Sequence, residues 1–188
     1  MTNSFGLVNA DPKVIFIETP TAKRVSDLLA YCHREKNIGI IVGKPGVGKT
    51  TAIKQYTMLQ NSKSYSVLYV SMSPALNSLG AVLQLLVSEL GGGHTRQVSD
   101  LHEKMLSFVH SFQMPLVIID EAQLLSDIVI DELRCIYDAS HFPLVFCGNS
   151  KFRSRFNNTK EASFTQFTSR VGIRLDIDVS VVRTFVTD

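Results

Sequence analysis

Gly43-Lys44-Pro45-Gly46-Val47-Gly48-Lys49-Thr50 fits the pattern GxxxxGK[ST]. It lies between a short β-branched run, Ile38 to Val42, and a stretch with helical character, Lys49 to Gln60. A strand that passes through a glycine-rich turn into a helix start is the opening of a βα unit, so an α/β architecture is the first to test. The glycines let successive backbone N–H groups turn towards a phosphate, and the helix start adds positive potential. Lys49 carries a mobile ammonium to the outer phosphates, and Thr50 supplies a hydroxyl suited to magnesium. The candidate phosphate-binding residues are Gly43, Lys44, Pro45, Gly46, Val47, Gly48, Lys49, Thr50 and the adjoining Thr51. The alternative is an ordinary glycine turn with Lys49 solvated.

The rest of the chain alternates helical and strand patterns without repeats or low-complexity tracts. Val67 to Ser71, Leu116 to Asp120, Leu144 to Cys147 and Gly172 to Ile177 read as further strands, and Leu116 to Asp120 is apolar enough to be buried on both faces. Helices are expected over Thr21 to Arg34, Asn77 to Leu90, Asp127 to Asp138, and from a cap at Ser99 or Asp100 to about Phe112. Gly91-Gly92-Gly93 ends the second of these. The expected fold is a P-loop α/β protein with a central parallel five-stranded sheet flanked by helices. At 188 residues the chain favours one domain. Residues 1–37 are expected to pack on a core of residues 38–178, with 179–188 beyond it.

The formal net charge of +2 is too small to mark a nucleic-acid binder by itself. Its distribution says more: residues 1–150 sum to −1, whereas 151–175 hold six basic side chains against one acidic, a net of +5. The three cysteines, Cys32, Cys135 and Cys147, form no CxxC pair and suit reduced, buried thiols. The five histidines form no HxH or HxxxH pair, so His102 and His110 read as solvated rather than metal-bound. The start of the chain has neither the basic region nor the apolar centre of a signal peptide, and no apolar run approaches bilayer length. The expectation is a cytoplasmic protein without membrane association.

Two more strand ends carry chemistry. Leu116-Val117-Ile118-Ile119-Asp120-Glu121 closes a buried strand on adjacent carboxylates, of which Asp120 would face magnesium and Glu121, diverging from it, would be the general base for water. A helix cap is the competing reading of this pair. Leu144 to Asn149 ends another strand in Gly148-Asn149. Ligands of doubly wound sheets sit at the carboxyl ends of the strands, so Asn149 could orient the attacking water; the bland reading is a Gly-Asn turn.

The three strand-end motifs in this order resemble those of AAA+ ATPases. Phe16-Ile17-Glu18-Thr19-Pro20-Thr21 and Phe167-Thr168-Ser169-Arg170-Val171 extend the resemblance to the Mu B-like DNA-transposition ATPases of transposable phages and related transposon target-selection ATPases, over roughly Val14 to Asp178. The resemblance implies ATP and Mg2+ as ligands, and a homo-oligomer or filament on double-stranded DNA without sequence preference that captures target DNA and stimulates a transposase. It also implies an arginine acting in trans, here Arg170, with Arg174, Arg153 and Arg155 as rivals and a surface ion pair as the bland reading. Ile17 and Thr19 would border the adenine. For DNA, one candidate loop carries His94, Thr95 and Arg96; another, Lys151 to Lys160, carries Lys151, Arg153, Arg155 and Lys160 interleaved with Phe152 and Phe156. The resemblance also implies a helix-turn-helix domain before the core and a helical lid after it, and a bacterial host cytoplasm if phage or transposon encoded; the expectation is that the residues before Gly43 are too few for the first and that 179–188 begin a lid that is mostly missing. The alternatives are another AAA+ switch, such as a helicase loader or secretion-associated ATPase, or an ATP-binding interaction module with little hydrolysis.

Overall fold

The computed structural model describes residues 18–62, 67–76, 78–110, 115–157 and 162–177. Five strands, β1 (Ile38–Gly43), β2 (Val67–Ser71), β3 (Leu116–Asp120), β4 (Leu144–Gly148) and β5 (Val171–Ile177), form one sheet in the order β2-β3-β4-β1-β5. Every pairing is parallel. The helices are α1 (Pro20–Glu35), α2 (Lys49–Asn61), α3 (Leu79–Glu89), α4 (Val98–Val109), α5 (Asp127–Ser140), α6 (Ser150–Asn157) and α7 (Ala162–Thr168).

The central strands read as unbroken apolar runs because both sheet faces are covered. Ile41, Ile118, Val145 and Cys147 pack with Val25, Leu29, Ala52 and Ile53 of α1 and α2. Their neighbours Ile40, Val42, Val117, Ile119 and Phe146 point the other way, into a core with α3, α4, α5, Phe152 of α6 and Phe167 of α7. Phe146 meets Phe167 edge-to-face at 5.2 Å between ring centroids. Each such buried phenyl contributes ~1.5–3 kcal/mol through area removed from water.

Register decides where the chemistry falls. Val42 lies opposite Gly148, Ser71 opposite Asp120, and Ile119 opposite Phe146. The ends of β1, β3 and β4 therefore open on one edge of the sheet, bringing the glycine-rich turn, Asp120-Glu121 and Asn149 together.

Local signals account for most helix boundaries. Thr19 accepts from the Ala22 N–H at 3.1 Å with Pro20 in the first turn, and Ser78 caps α3 through Ala81 N–H. Two expectations are corrected. The cap of α4 is Gln97, through its backbone, not Ser99 or Asp100; Asp100 lies in the first turn, where it suits the helix dipole. Lys151 to Asn157 is helical rather than a loop, because Asn149 Oδ1 accepts from Lys151 N–H at 2.9 Å and Phe152 is fully buried. No helix among the described residues is long and apolar enough to cross a membrane.

Candidate nucleotide site

The turn between β1 and α2 requires glycine at two points: Gly46 and Gly48 have φ of 82° and 89°. A side chain at either would meet no neighbour, so the constraint is the backbone's own, costing roughly 1–2 kcal/mol for an L-residue. Lys49 begins α2 and its Nζ donates to the carbonyls of Gly43 at 2.8 Å and Lys44 at 2.9 Å, folding the ammonium over the turn. Val47, a candidate from sequence, is buried in the core instead of lining the cleft.

Asp120, at the end of β3, is 2% exposed and accepts hydrogen bonds on both carboxylate oxygens. Its Oδ2 accepts from Thr50 Oγ1 at 2.6 Å and from the Tyr69 hydroxyl at 3.1 Å; its Oδ1 accepts from Glu121 N–H at 2.9 Å. Three donors offset the desolvation of a buried carboxylate. Burial, then the Asp120 charge, pushes the Tyr69 phenol well above its usual range, so it stays protonated and donates. Burial first, and then the same charge, pushes the Cys147 thiol up, leaving a neutral floor beside Asp120.

Glu121 leaves the strand in a left-handed conformation, φ 57° and ψ 37°. That turn separates the two carboxylates: Asp120 stays buried while Glu121 is exposed and accepts from Gln123 Nε2. Gln123 Oε1 in turn accepts from Asn149 N–H at 3.3 Å. Asn149 spends its side-chain oxygen capping α6, which leaves its amide NH2 as the group to meet a water.

A cleft of about 250 Å³ is lined by Pro45, Gly46, Gly48, Lys49, Thr50, Thr51, Asp120, Glu121, Gly148 and Asn149. Nine of these ten were candidates from sequence, and they converge on one site. Among the described residues no group of three or more His, Cys, Asp or Glu could hold a metal. The hard oxygens of Thr50 and Asp120, already within 2.6 Å of each other, fit magnesium, which takes one or two protein ligands and completes its shell with phosphates and water.

Tyr69 and Gln123 are the residues that sequence reading misses. Tyr69 is a lone hydroxylated aromatic in the strand Val67-Leu68-Tyr69-Val70-Ser71, and Lys54 lies over its ring at 5.8 Å. Gln123 follows the carboxylate pair within a 3₁₀ turn, Ala122–Leu124.

Other candidates lie elsewhere. Thr19 caps α1, and Ile17 and Lys160 fall outside the described residues, as does the side chain of Phe156. Arg170 pairs with Asp138 of α5 within the same chain, Nε to Oδ1 at 3.1 Å and Nη2 to Oδ2 at 3.2 Å. Arg153 and Arg174 both meet Asp176, at 2.9 Å and 3.4 Å, while Arg155 pairs with Asp127 and donates to Leu125 O at 2.9 Å. Lys151, His94 and Arg96 are exposed; Thr95 is tied to Gln84 and Asp100. His102 meets Glu132 at 2.5 Å.

Comparison with known proteins agrees with this geometry. Residues 32–156 match the AAA domain family. The chain is 30% identical over 165 residues to the ATP-dependent target DNA activator B of Escherichia phage Mu, covering 87% of this chain and 51% of that protein. It is 29% identical over 141 residues to the Mu-like prophage FluMu DNA transposition protein B of Haemophilus influenzae, covering 74% and 47%. The chain thus spans about half the length of these curated relatives. Among solved structures, Cdc6p from Pyrobaculum aerophilum superimposes with a TM-score of 0.64 at 16% identity, covering 87% of this chain and 47% of that one. AMPPCP-bound DnaA from Aquifex aeolicus gives 0.56 at 16%, covering 86% and 48%. A glycine-rich turn, a carboxylate pair and a polar strand end on one parallel sheet have the same explanation as these matches: the chain belongs to the AAA domain family of P-loop ATPases and is similar to the target-DNA activators of transposable phages.

Proposed function

We propose that this chain binds and hydrolyses ATP with magnesium, uses the ATP-bound state to hold double-stranded DNA without sequence preference, and in doing so presents target DNA to a transposase. The observation that carries the nucleotide half is the Thr50 to Asp120 contact at 2.6 Å, with Glu121 and Asn149 on the walls of the same cleft. The DNA half is supported by the relatives' names and by the exposed Lys151, His94 and Arg96; Arg153, Arg155, Arg170 and Arg174 pair with Asp176, Asp127, Asp138 and Asp176 in this chain and would have to exchange those partners for phosphates.

In this reading the backbone N–H groups of the turn and Lys49 hold the phosphates, and Thr50 and Asp120 hold magnesium. Bound there, the ion would neutralise charge on the outer phosphates. Asn149 orients a water through its side-chain NH2. As the water oxygen bonds to the γ-phosphorus, its proton passes to Glu121, the bond from phosphorus to the β–γ bridging oxygen breaks, and ADP leaves with the electron pair. Arg170 of a neighbouring copy would exchange Asp138 for the transferring phosphoryl group. Lys151, Arg153, Arg155 and the His94 to Arg96 loop would meet DNA phosphates, giving salt-sensitive binding.

Co-sedimentation with random-sequence duplex DNA, and ATPase rate with and without that DNA, test this on wild type, Glu121→Gln and Arg170→Ala. The expected result is DNA binding that requires ATP, retained or prolonged in Glu121→Gln, with hydrolysis lost in both variants. No DNA association at low salt in any nucleotide state would overturn the DNA half. ATP binding without turnover would leave a nucleotide-dependent interaction module, and unchanged hydrolysis in Arg170→Ala would remove that residue alone.

A further inference from the structure

Glu121 poses a positional problem. It is an exposed side chain with several rotatable bonds, thrown off the strand by a left-handed turn, and a general base displaced by about 1 Å loses on the order of a hundredfold in rate. A neighbour answers it. Gln123 is half-buried in the following 3₁₀ turn, and its amide is engaged at both ends: Nε2 donates to Glu121 Oε2 and Oε1 accepts from the backbone N–H of Asn149 at 3.3 Å. Those partners fix the amide's orientation, since a flipped amide would set oxygen against carboxylate and NH2 against N–H.

The geometry points to Gln123 as a positioning residue for hydrolysis: it fixes the Glu121 carboxylate relative to Asn149 by bridging the ends of β3 and β4. This rests on the reading of Glu121 as base. The bridge needs a donor towards Glu121 and an acceptor towards Asn149 on one side chain of this length, and glutamine supplies both. Glutamate keeps the acceptor but sets like charge against Glu121; alanine removes both contacts; asparagine is one methylene short. Because Asn149 also caps α6 through Lys151 N–H, the chain of contacts from the base runs on into the helix that carries Arg153 and Arg155.

Steady-state ATPase and equilibrium binding of a non-hydrolysable ATP analogue separate positioning from folding. Gln123→Ala and Gln123→Glu should each lower kcat at least tenfold while leaving analogue affinity within about twofold. Neither should reduce the residual rate further in a Glu121→Gln background, because the residue acts through Glu121. Wild-type kcat in Gln123→Ala, or equal loss of analogue affinity and rate, would overturn the assignment. A second readout needs no turnover. In 15N spectra the Gln123 side-chain amide should shift in Glu121→Gln, and the Asn149 backbone amide should shift in Gln123→Ala. If neither moves, the bridge does not exist in solution. An inactive wild type with both shifts present would sink the hydrolysis reading and leave the bridge standing.

Discussion

The hydroxyl of Thr50 donates to Asp120 across 2.6 Å, joining residues 70 apart in sequence. One sits in the first turn of α2 and the other at the last position of β3, and parallel packing of β1, β4 and β3 brings those two points together. Thr50 and Tyr69 converge on the same carboxylate oxygen, so a magnesium ion drawing on that oxygen would compete with their hydroxyl hydrogens.

Asp120→Asn keeps the size of the side chain but removes its charge. Nucleotide affinity measured with and without magnesium should lose most of its metal-dependent gain, by tenfold or more. An unchanged magnesium dependence would place the ion elsewhere.

Tyr69→Phe deletes one of three donors to Asp120 and leaves Thr50 and the Glu121 N–H in place. The expected cost is about 1 kcal/mol in urea unfolding, with turnover within a few fold of wild type. A loss of turnover beyond tenfold at unchanged stability would make Tyr69 part of the chemistry.

Lys49→Ala should reduce ATP affinity by at least tenfold and leave unfolding almost unaltered. The bonds it loses go only to backbone carbonyls, those of the buried Gly43 and the exposed Lys44. Isothermal titration with ATP and magnesium, beside a thermal melt, separates the two effects.

Alkaline pH should weaken the fold. Burial pushes the Cys32 thiol from 9.0 to about 12, and burial, helped by Cys32, pushes the Tyr56 phenol from 10.0 to about 12. The unfolded chain gives up these protons first, so their contribution is complete below pH 9 and is lost as pH rises towards 12. Urea midpoints between pH 8 and 11 should fall, and Cys32→Ala should flatten the slope. Native protein should show one fast thiol towards an aromatic disulfide, Cys135, and three after unfolding, because Cys32 and Cys147 are buried.

Arg170 and Asp138 offer a test of the trans-acting role. Their pair is 38% and 33% exposed, and Asp138 also accepts from Arg134 Nη1 at 2.7 Å, so Asp138→Asn should cost somewhat more stability than Arg170→Ala. If Arg170 serves a neighbouring copy, Asp138→Asn removes its charged partner, leaving the contacts to Gln166 O and Ser169 Oγ, and hydrolysis is kept or raised, while Arg170→Ala loses it. Small stability losses with unchanged ATPase in both variants would make the pair purely structural.

Most of the sheet was legible from sequence because buried parallel strands read as apolar runs: Val67–Ser71 and Leu116–Asp120 match to the residue. The phosphate turn and the Asp120-Glu121 pair were legible because each is contiguous. α6 and α7 were not. α6 is short and polar, and its cap, Asn149, reads equally well as a strand-end site residue. Gln123 and Tyr69 could not be found by spacing, since their roles exist only once β2, β3 and β4 lie side by side. The pairing of Arg170 with Asp138 likewise joins residues 32 apart on different elements, and charge counting along the chain does not reveal it.

The proposed function requires that nucleotide state control DNA binding. Fluorescence anisotropy of a random-sequence duplex, titrated with the wild-type chain at low salt under ATP and magnesium or under ADP and magnesium, tests it most directly. Saturable binding is expected with ATP, at least tenfold weaker with ADP, and weakening as salt rises. Equal affinity in the two nucleotide states, or no binding in either, would contradict it.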